Sequence, residues 1–598
     1  MGRRTPQDCG WDGGGAMKKQ TGRATNQSFL HGALILLVAI AIVKVIGALF
    51  KIPLNLIITP VGMGYFSTAY NLYNPIFSLA TAGFPIAIAR LVSENYARGR
   101  FRDIRQIHKI SIPIFLTLGA LAFCLMFFGA KPYVAYATDS GDMNALPAIY
   151  VLAPAILFSS MMAIYRGYYE GLRNMYPTAL SEVVEALFKL ALGLTGAYLV
   201  IENGLKEFAA SGTVYGIPAQ SAEYAKAAAL PYAAAGAILG VTVGSFFGFA
   251  FLWMYHRRNG DGITQEMLAG SPRPYPMKQS IQRLIRTAIP VALGALAVNL
   301  SSLVDTTFVQ RRLRDIMSLN PDVLLQVYNG LLSDVVIQTD RVPTFLFGCY
   351  GNATTLFMLV PAITQAFGVS ALPNVTTAWT AGDPKKIKSS IETVLRVVAM
   401  ITIPAGLGLS VLSGPVARLL GYNAVTGNIL ILLGLGAIFA ATNTPVNSML
   451  QAVGRVDLPI KLLSVGLVIK VALNYWLVGV PEVNVMGAGI GTLVCYLFLT
   501  VAGLIFLCRE TKIKLNVVGL FLKPLLSGGV CVLTAYFVQR LSALLVGDRL
   551  ATVAALLAAV VVYAICMLWL KALQKSDVLM LPKGQKIAKI LENHGWIR

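Results

Sequence analysis

Charge is what this sequence is short of: 13% of its 598 residues are Asp, Glu, Lys or Arg, about half the share in an ordinary soluble domain. Acid is scarcer than base, 27 residues against 49. The four histidines (His31, His108, His256 and His594) are scattered, with no HExxH among them. The seven cysteines show no CxxC spacing and mostly sit inside apolar runs, which argues against a disulfide framework and against a metal site. No GxxxxGK[ST] loop occurs, so the chain is not by itself a nucleotide-driven pump. The largest outward loops, near 202–229 and 310–343, are too short for a catalytic domain. The expectation is a protein that is not an enzyme, with no cofactor and no metal. Residues 1–28 lack an apolar core and do not read as a signal peptide. Met17, followed by Lys18 and Lys19, reads as an alternative start. Gly2 is not a myristoylation site, because Pro6 stands where Ser or Thr is required.

What the sequence has in quantity is apolar length. Hydrophobic residues make up 56% of it, gathered in runs long enough to cross about 30 Å of hydrocarbon at about 1.5 Å per residue. In lipid a helix satisfies its own amides, and the continuity of the runs lacks the ten-residue alternation of a β-barrel. Spans read near 29–50, 62–89, 110–130, 146–165, 179–201, 230–255, 287–309, 344–372, 397–413, 426–450, 459–478, 485–507, 518–539 and 550–570. An even number puts both termini on one side. If that side is cytoplasmic, it holds 35 of the 49 Lys and Arg, counting Lys461 and Lys523 at the near ends of their spans, the other face 11 and the span interiors three, as the positive-inside rule requires. The net charge of +22 then belongs to loops such as Arg98-Gly99-Arg100-Phe101-Arg102 that meet anionic headgroups, and no nucleic-acid partner is expected. Trp253, Trp379, Trp476 and Trp569 lie near span ends, where interfacial anchors belong.

The chain also repeats itself. Residues 169–192 align with 451–473: Arg173 matches Arg455 and Pro177 matches Pro459 at an offset of 282, and after one gap Lys189 matches Lys470 at 281. A unit of six spans, an even number, makes a parallel repeat about an axis along the membrane normal, with substrate between the lobes. The fold class expected is therefore an all-α polytopic membrane protein with 14 transmembrane helices, two six-helix lobes in parallel repeat plus two C-terminal helices. Its parts would be a cytoplasmic basic extension (1–28), an N-lobe (29–258), a cytoplasmic linker (259–286), a C-lobe (287–508), the last two helices (509–571) and a cytoplasmic basic tail (572–598). Spans 2 and 8 carry matched breakers, Pro75, Gly83 and Pro85 against Pro361, Gly368 and Pro373. These are either plain kinks or hinges for alternating access.

A few ionisable groups fall deep within spans: Lys44, Glu182, Glu185, Lys189, Asp305 and Lys470. Each costs about 3 kcal/mol on insertion scales unless it faces a cavity or a partner. Lys189 and Lys470, as repeat equivalents near the midplane, are expected to face each other across a central cavity and bind an anionic group. The local alternative is that Glu185 and Lys189, spaced i,i+4, neutralise each other. Lys44 and Asp305 fall in corresponding places of spans 1 and 7, and either form an ion pair at an outer gate or leave Lys44 to substrate. Lys51 either contacts substrate or snorkels to the interface. Arg90 and Arg341, at span ends, read as anchors.

Short motifs carry a family likeness: Lys44-Val45-Ile46-Gly47, Tyr70-Asn71-Leu72-Tyr73-Asn74-Pro75 with Gly83-Phe84-Pro85, Tyr169-Glu170-Gly171-Leu172-Arg173, and Ala371-Leu372-Pro373. With these the chain resembles the multidrug/oligosaccharidyl-lipid/polysaccharide exporter superfamily, and within it the stage V sporulation protein B and lipid II flippase-like branch. The resemblance implies a monomeric bacterial flippase for a polyprenyl-pyrophosphate-linked sugar, with membrane lipid as its other partner and Na+ or H+ as a coupling ion. It implies cavity cations for the pyrophosphate, a role that suits Lys44, Lys189 and Lys470, and a groove for the polyprenyl tail beside the last two helices. It also implies arginines in spans 1, 2 and 8. Here span 1 offers Lys44 and Lys51, and Gly351-Asn352-Ala353-Thr354-Thr355 in span 8 holds no basic residue. Two rivals remain open: a cation-coupled multidrug exporter using Glu182, Glu185 and Asp305, and a non-transporting membrane scaffold for sporulation or division machinery.

Overall fold

The computed structural model describes residues 29–81, 83–137 and 142–570. The extension 1–28, its Met17 start and the tail 572–598 lie outside the described residues. The only β-structure among those described is a short hairpin, Thr213–Val214 paired with Ile217–Pro218. All other long elements are helices: α1 (Phe29–Thr81), α2 (Gly83–Ala97), α3 (Phe101–Ala137), α4 (Leu146–Leu152), α5 (Ala155–Gly171), α6 (Tyr176–Ser211), α7 (Ala222–Asn259), α8 (Gln265–Ala269), α9 (Met277–Val304), α10 (Gln310–Leu319), α11 (Pro321–Val327), α12 (Asp334–Gln338), α13 (Val342–Phe357), α14 (Leu359–Thr380), α15 (Pro384–Val411), α16 (Ser413–Leu419), α17 (Ala424–Ala452), α18 (Asp457–Val478), α19 (Met486–Thr511), α20 (Lys523–Val546) and α21 (Asp548–Trp569). Thirteen helical segments among the described residues are long and apolar enough to cross a membrane. One of them, Val38–Ala97, runs 60 residues, long enough at about 1.5 Å per residue to cross twice. The chain is thus an all-α polytopic membrane protein, and a count of fourteen requires that this segment cross twice.

Three boundaries differ from expectation. Spans 1 and 2 meet without a loop, at a corner on Thr59 (φ 57, ψ 174). Pro60 forces that corner, because a proline drives the residue before it out of the helical region. Span 4 continues to Gly171, which carries Arg166 and Glu170 onto a helix. Span 7 runs on through a π-turn, Asp305–Val309, into α10.

The breakers behave unequally. Pro75 lies within α1, and Gly83 and Pro85 are the first and third residues of α2; all three belong to the single helical segment Val38–Ala97. In span 8 the helix breaks at Met358, and Pro361, Gly368 and Pro373 all lie inside α14.

The repeat is cleaner in three dimensions than in the alignment. At the end of α5, Asn174 N–H bonds Tyr169 O and Arg173 has φ 60; at the end of α17, Arg455 N–H bonds Leu450 O and Gly454 has φ 87. Both are Schellman-type ends, related by a constant 281, the offset of Lys189 and Lys470. No gap is needed, and the structural match of Arg455 is Asn174 rather than Arg173. The sequence alignment paired the two arginines because side-chain identity outweighed the backbone role that Gly454 fills.

Small residues set the register of α6. Gly236, Gly240, Gly244 and Gly248 recur every fourth residue on one face of α7. They meet Gly193, Gly196, the Glu185 carbonyl and the Ser181 carbonyl of α6 so closely that no Cβ fits at Gly236, Gly240 or Gly244. Close helix approach through small residues is the usual route to packing in lipid.

The two halves of the chain meet along α1. Its second part lies against α9 and the π-turn, with Gln310 Nε2 donating to Thr68 (2.8 Å), Asn71 Nδ2 to Thr306 (2.7 Å) and Asn299 Nδ2 to Ser78 (2.6 Å). Around the Thr59 corner, α1 lies against α13. There Gly348 abuts the Pro60 carbonyl, Asn352 Nδ2 donates to Asn55 (2.7 Å) and Thr344 Oγ1 to Asp142 (2.8 Å).

Candidate functional site

Helices α1, α2, α5, α6 and α7 enclose a cavity of about 390 Å³. Its wall on α1 is aromatic, Tyr70, Tyr73 and Phe77, three neighbours on one face because they recur at i, i+3 and i+7. The opposite wall is charged: Arg166 and Glu170 from α5, Glu185 and Lys189 from α6, and Ser245 from α7.

Glu185 makes no direct ion pair with Lys189, although the two lie within electrostatic reach. Its carboxylate accepts from Arg166 Nη2 at 3.1 Å and from Ser245 Oγ at 3.2 Å, while Arg166 Nε holds Ser181 at 3.0 Å. Lys189 Nζ instead stands 5.3 Å from the Phe50 ring centroid and 5.1 Å from that of Tyr70. Those faces attract a cation but accept no conventional hydrogen bond, and no carboxylate lies within 4 Å of it among the described residues. Lys51 Nζ donates to Thr355 Oγ1 at 3.0 Å and lies within electrostatic reach of both Lys189 and Lys44. Lys44 is exposed and reaches Glu182 electrostatically. Three lysines are therefore grouped electrostatically around Lys51, and one of them, Lys189, lines the cavity with Arg166, Glu170 and the ion-paired Glu185.

Lys470 is elsewhere. It is 4% exposed, and its Nζ donates to Asp305 Oδ2 at 2.8 Å and to Ser301 Oγ at 3.0 Å. Asp305 also accepts from Asn474 Nδ2 (2.9 Å) and Tyr350 Oη (3.0 Å). The expectation that Lys189 and Lys470 share one cavity is corrected, and so is the expected Lys44–Asp305 pair. The reason is the repeat itself: the second half places an acid where the first half places Lys44. Lysine and acid then saturate each other within the packed second half, whereas the first-half lysine is left facing space. A charge pair out of water persists only when further hydrogen bonds complete it, and here three do.

Sequence reading missed Arg166, taken as a loop residue. Its spacing of four from Glu170 on a continuing helix was the available signal. A second, apolar cavity of about 590 Å³ lies among α15, α17 and α19, with Val517 and Phe521 at the approach to α20 and Lys514 on its lining. Its lining ends at Phe521, two residues before α20 begins.

Fold and cavity together define a polytopic membrane transporter built from two similar halves. The family model described as "Polysaccharide biosynthesis protein" matches residues 29–211 and that described as "MatE" matches 335–476. The lipid II flippase MurJ of Bacillus subtilis is 24% identical over 81% of this chain and 83% of its own length. Stage V sporulation protein B of the same organism is 23% identical over 78% and 80%. A solved structure of lipid II flippase MurJ in an inward closed conformation superposes with a TM-score of 0.57 at 14% identity, covering 90% of this chain and 97% of the other, which speaks to the fold. These matches support a multi-pass bacterial membrane transporter similar to members of the multidrug/oligosaccharidyl-lipid/polysaccharide exporter superfamily.

Proposed function

We propose that the protein flips a polyprenyl-pyrophosphate-linked sugar, a lipid II-like cell-wall precursor or polysaccharide unit, across the cytoplasmic membrane by alternating access, with both termini cytoplasmic. The observation that carries this reading is Lys189: an ammonium deep in the membrane, cradled by Phe50 and Tyr70, its sequence neighbour Glu185 turned away to Arg166. An unpaired charge there is costly, and a phosphate oxygen supplies the missing acceptor. Lys51 and Lys44 add charge for a second phosphate; as point charges they suit phosphate without the bidentate geometry of arginine. Tyr73 and Phe77 line the path from Lys189 toward α2 and give a sugar ring its apolar faces. The apolar cavity beside α20 fits the polyprenyl tail.

Glu182, Glu185 and Asp305 take gating or ion-coupling roles, and Asp305 with Lys470 holds the second half together rather than touching substrate. Pro75, Gly83 and Pro85 in span 2, and Pro361, Gly368 and Pro373 beyond the Met358 break in span 8, serve as bending points. The lobe, linker and tail boundaries given above are retained in this reading.

One feature favours the multidrug alternative: Glu170 and Glu182 have no cation within 4 Å among the described residues, and free carboxylates attract cationic drugs. Depletion in the native cell separates the two readings. A flippase leaves its lipid-linked precursor accumulating on the inner leaflet. An exporter leaves the precursor pool unchanged and the cell drug-sensitive, and that result would overturn the flippase.

A further inference from the structure

Among the described residues, the polar contacts that join the two halves are mostly made by neutral side chains, or lie far from the cavity's cations. Gln310–Thr68, Asn71–Thr306, Asn299–Ser78 and Asn352–Asn55 are amide or hydroxyl pairs. Thr344–Asp142 and the bond from Arg341 Nη1 to Ala227 O belong to the end of the molecule beyond the Thr59 corner. Lys51 alone links the two: a cation within electrostatic reach of Lys189, which lines the cavity, and a donor to Thr355 of the opposite half at 3.0 Å.

The position of that bond matters. It is the last polar link between α1 and α13 before the chains part: on one side come Asn55–Asn352 and the Gly348–Pro60 approach. On the other side, Val45, Leu49, Met358 and Leu359 are all exposed. The bond is also easily given up. Thr355 Oγ1 donates its own hydrogen to Gly351 O at 2.9 Å, so losing Lys51 leaves no orphaned donor on α13. A phosphate oxygen is a charged acceptor and makes a bond to ammonium roughly twice as strong as a neutral hydroxyl does.

We infer that Lys51 couples cavity occupancy to the seal between the halves: a phosphate bound at Lys189 draws the Lys51 ammonium off Thr355 and removes the innermost link between α1 and α13. The inference rests on the flippase reading and adds to it a reason for the seal to open only when the cavity is loaded. Lys51 is thus both a phosphate ligand and a positioning residue, and Thr355 serves as its resting partner.

The test uses the full-length protein carrying Asn55→Cys and Asn352→Cys, a pair that reports seal closure by disulfide formation, with each single-cysteine variant as background. Farnesyl pyrophosphate is the probe, and its binding is measured separately by calorimetry. The cross-linking rate is expected to fall several-fold when the probe saturates the cavity. Thr355→Val is expected to start at the lowered rate and show no further response, with probe affinity retained; Thr355→Ser, which keeps the acceptor, behaves as the parent. Lys51→Met loses the response and weakens binding. A rate indifferent to bound probe, or a normal response in Thr355→Val, overturns the coupling and leaves the cavity reading intact. Absence of any probe binding, with Lys189→Met indistinguishable from the parent, overturns both.

Discussion

A lysine ammonium at mid-membrane costs about 3 kcal/mol on insertion scales, and the two repeat-related lysines meet that cost in opposite ways. Lys470 is sealed among Asp305, Ser301 and, through Asp305, Asn474 and Tyr350. Lys189 has only aromatic faces. The same substitution should therefore fail differently at the two sites. Lys189→Met is expected to express and fold normally and to lose transport, checked by complementation beside detergent-extracted yield. Lys470→Met leaves Asp305 buried without its cation, a loss of about 3–5 kcal/mol, and is expected to lower the melting temperature sharply; adding Asp305→Asn should restore much of it. Arg166 offers a sharper test of the charge layout. In Arg166→Leu the freed Glu185 carboxylate lies four residues from Lys189 on the same helical face and is expected to capture it, reducing pyrophosphate affinity at least tenfold. Glu185→Gln in that background should restore binding, and a double mutant no better than the single one would refute the arrangement.

At the scale of elements, the cavity depends on how closely α6 and α7 approach. Gly240 faces the backbone of Gly193 with no room for a Cβ, so Gly240→Leu forces the helices apart and rotates Lys189 and Glu185 away from α1. Overpacking of this kind costs about 1–3 kcal/mol; the expected outcome is reduced thermal stability with loss of transport, read by fluorescence-detected gel filtration across a temperature series. A Cβ added at Gly529 in α20 would meet nothing within 4 Å, and Gly529→Ala is expected to leave both measurements unchanged. The Thr59 corner belongs to the same scale: a β-branched residue at φ 57 stores strain of about 1–3 kcal/mol, held there by Pro60 and by Gly348 packed against it.

For the whole molecule the positive charges decide orientation. Reporter fusions placed after Asn259, in the segment holding Arg273 and Lys278, should report the same side as fusions to either terminus, whereas fusions in the 202–229 loop should report the opposite side. Agreement of the 202–229 loop with the termini would overturn the proposed topology.

Much of the fold was legible in sequence because lipid permits one spanning form for such runs: apolar length implies helices. The repeat was legible too, since matching turns keep matching spacing, although the structure moved its register at Arg455. The candidate site was only half legible. Lys44, Lys51, Lys189, Glu182 and Glu185 could be named from their depth alone, because depth follows from position along a span. Partners could not. Whether Glu185 turns to Lys189 or to Arg166, and whether Asp305 meets Lys44 or Lys470, depends on which helices stand side by side. Helix adjacency is set by packing of small residues such as Gly240 and Gly244 of α7, which belong to a different helix from Glu185 and Lys189. The sequence by itself determined a membrane-spanning helical transporter with deep cations; only the tertiary structure decided which cation stays without an ion pair, because pairing is a matter of a few ångströms between residues on different helices, 19 positions apart for Arg166 and Glu185 and 165 for Asp305 and Lys470.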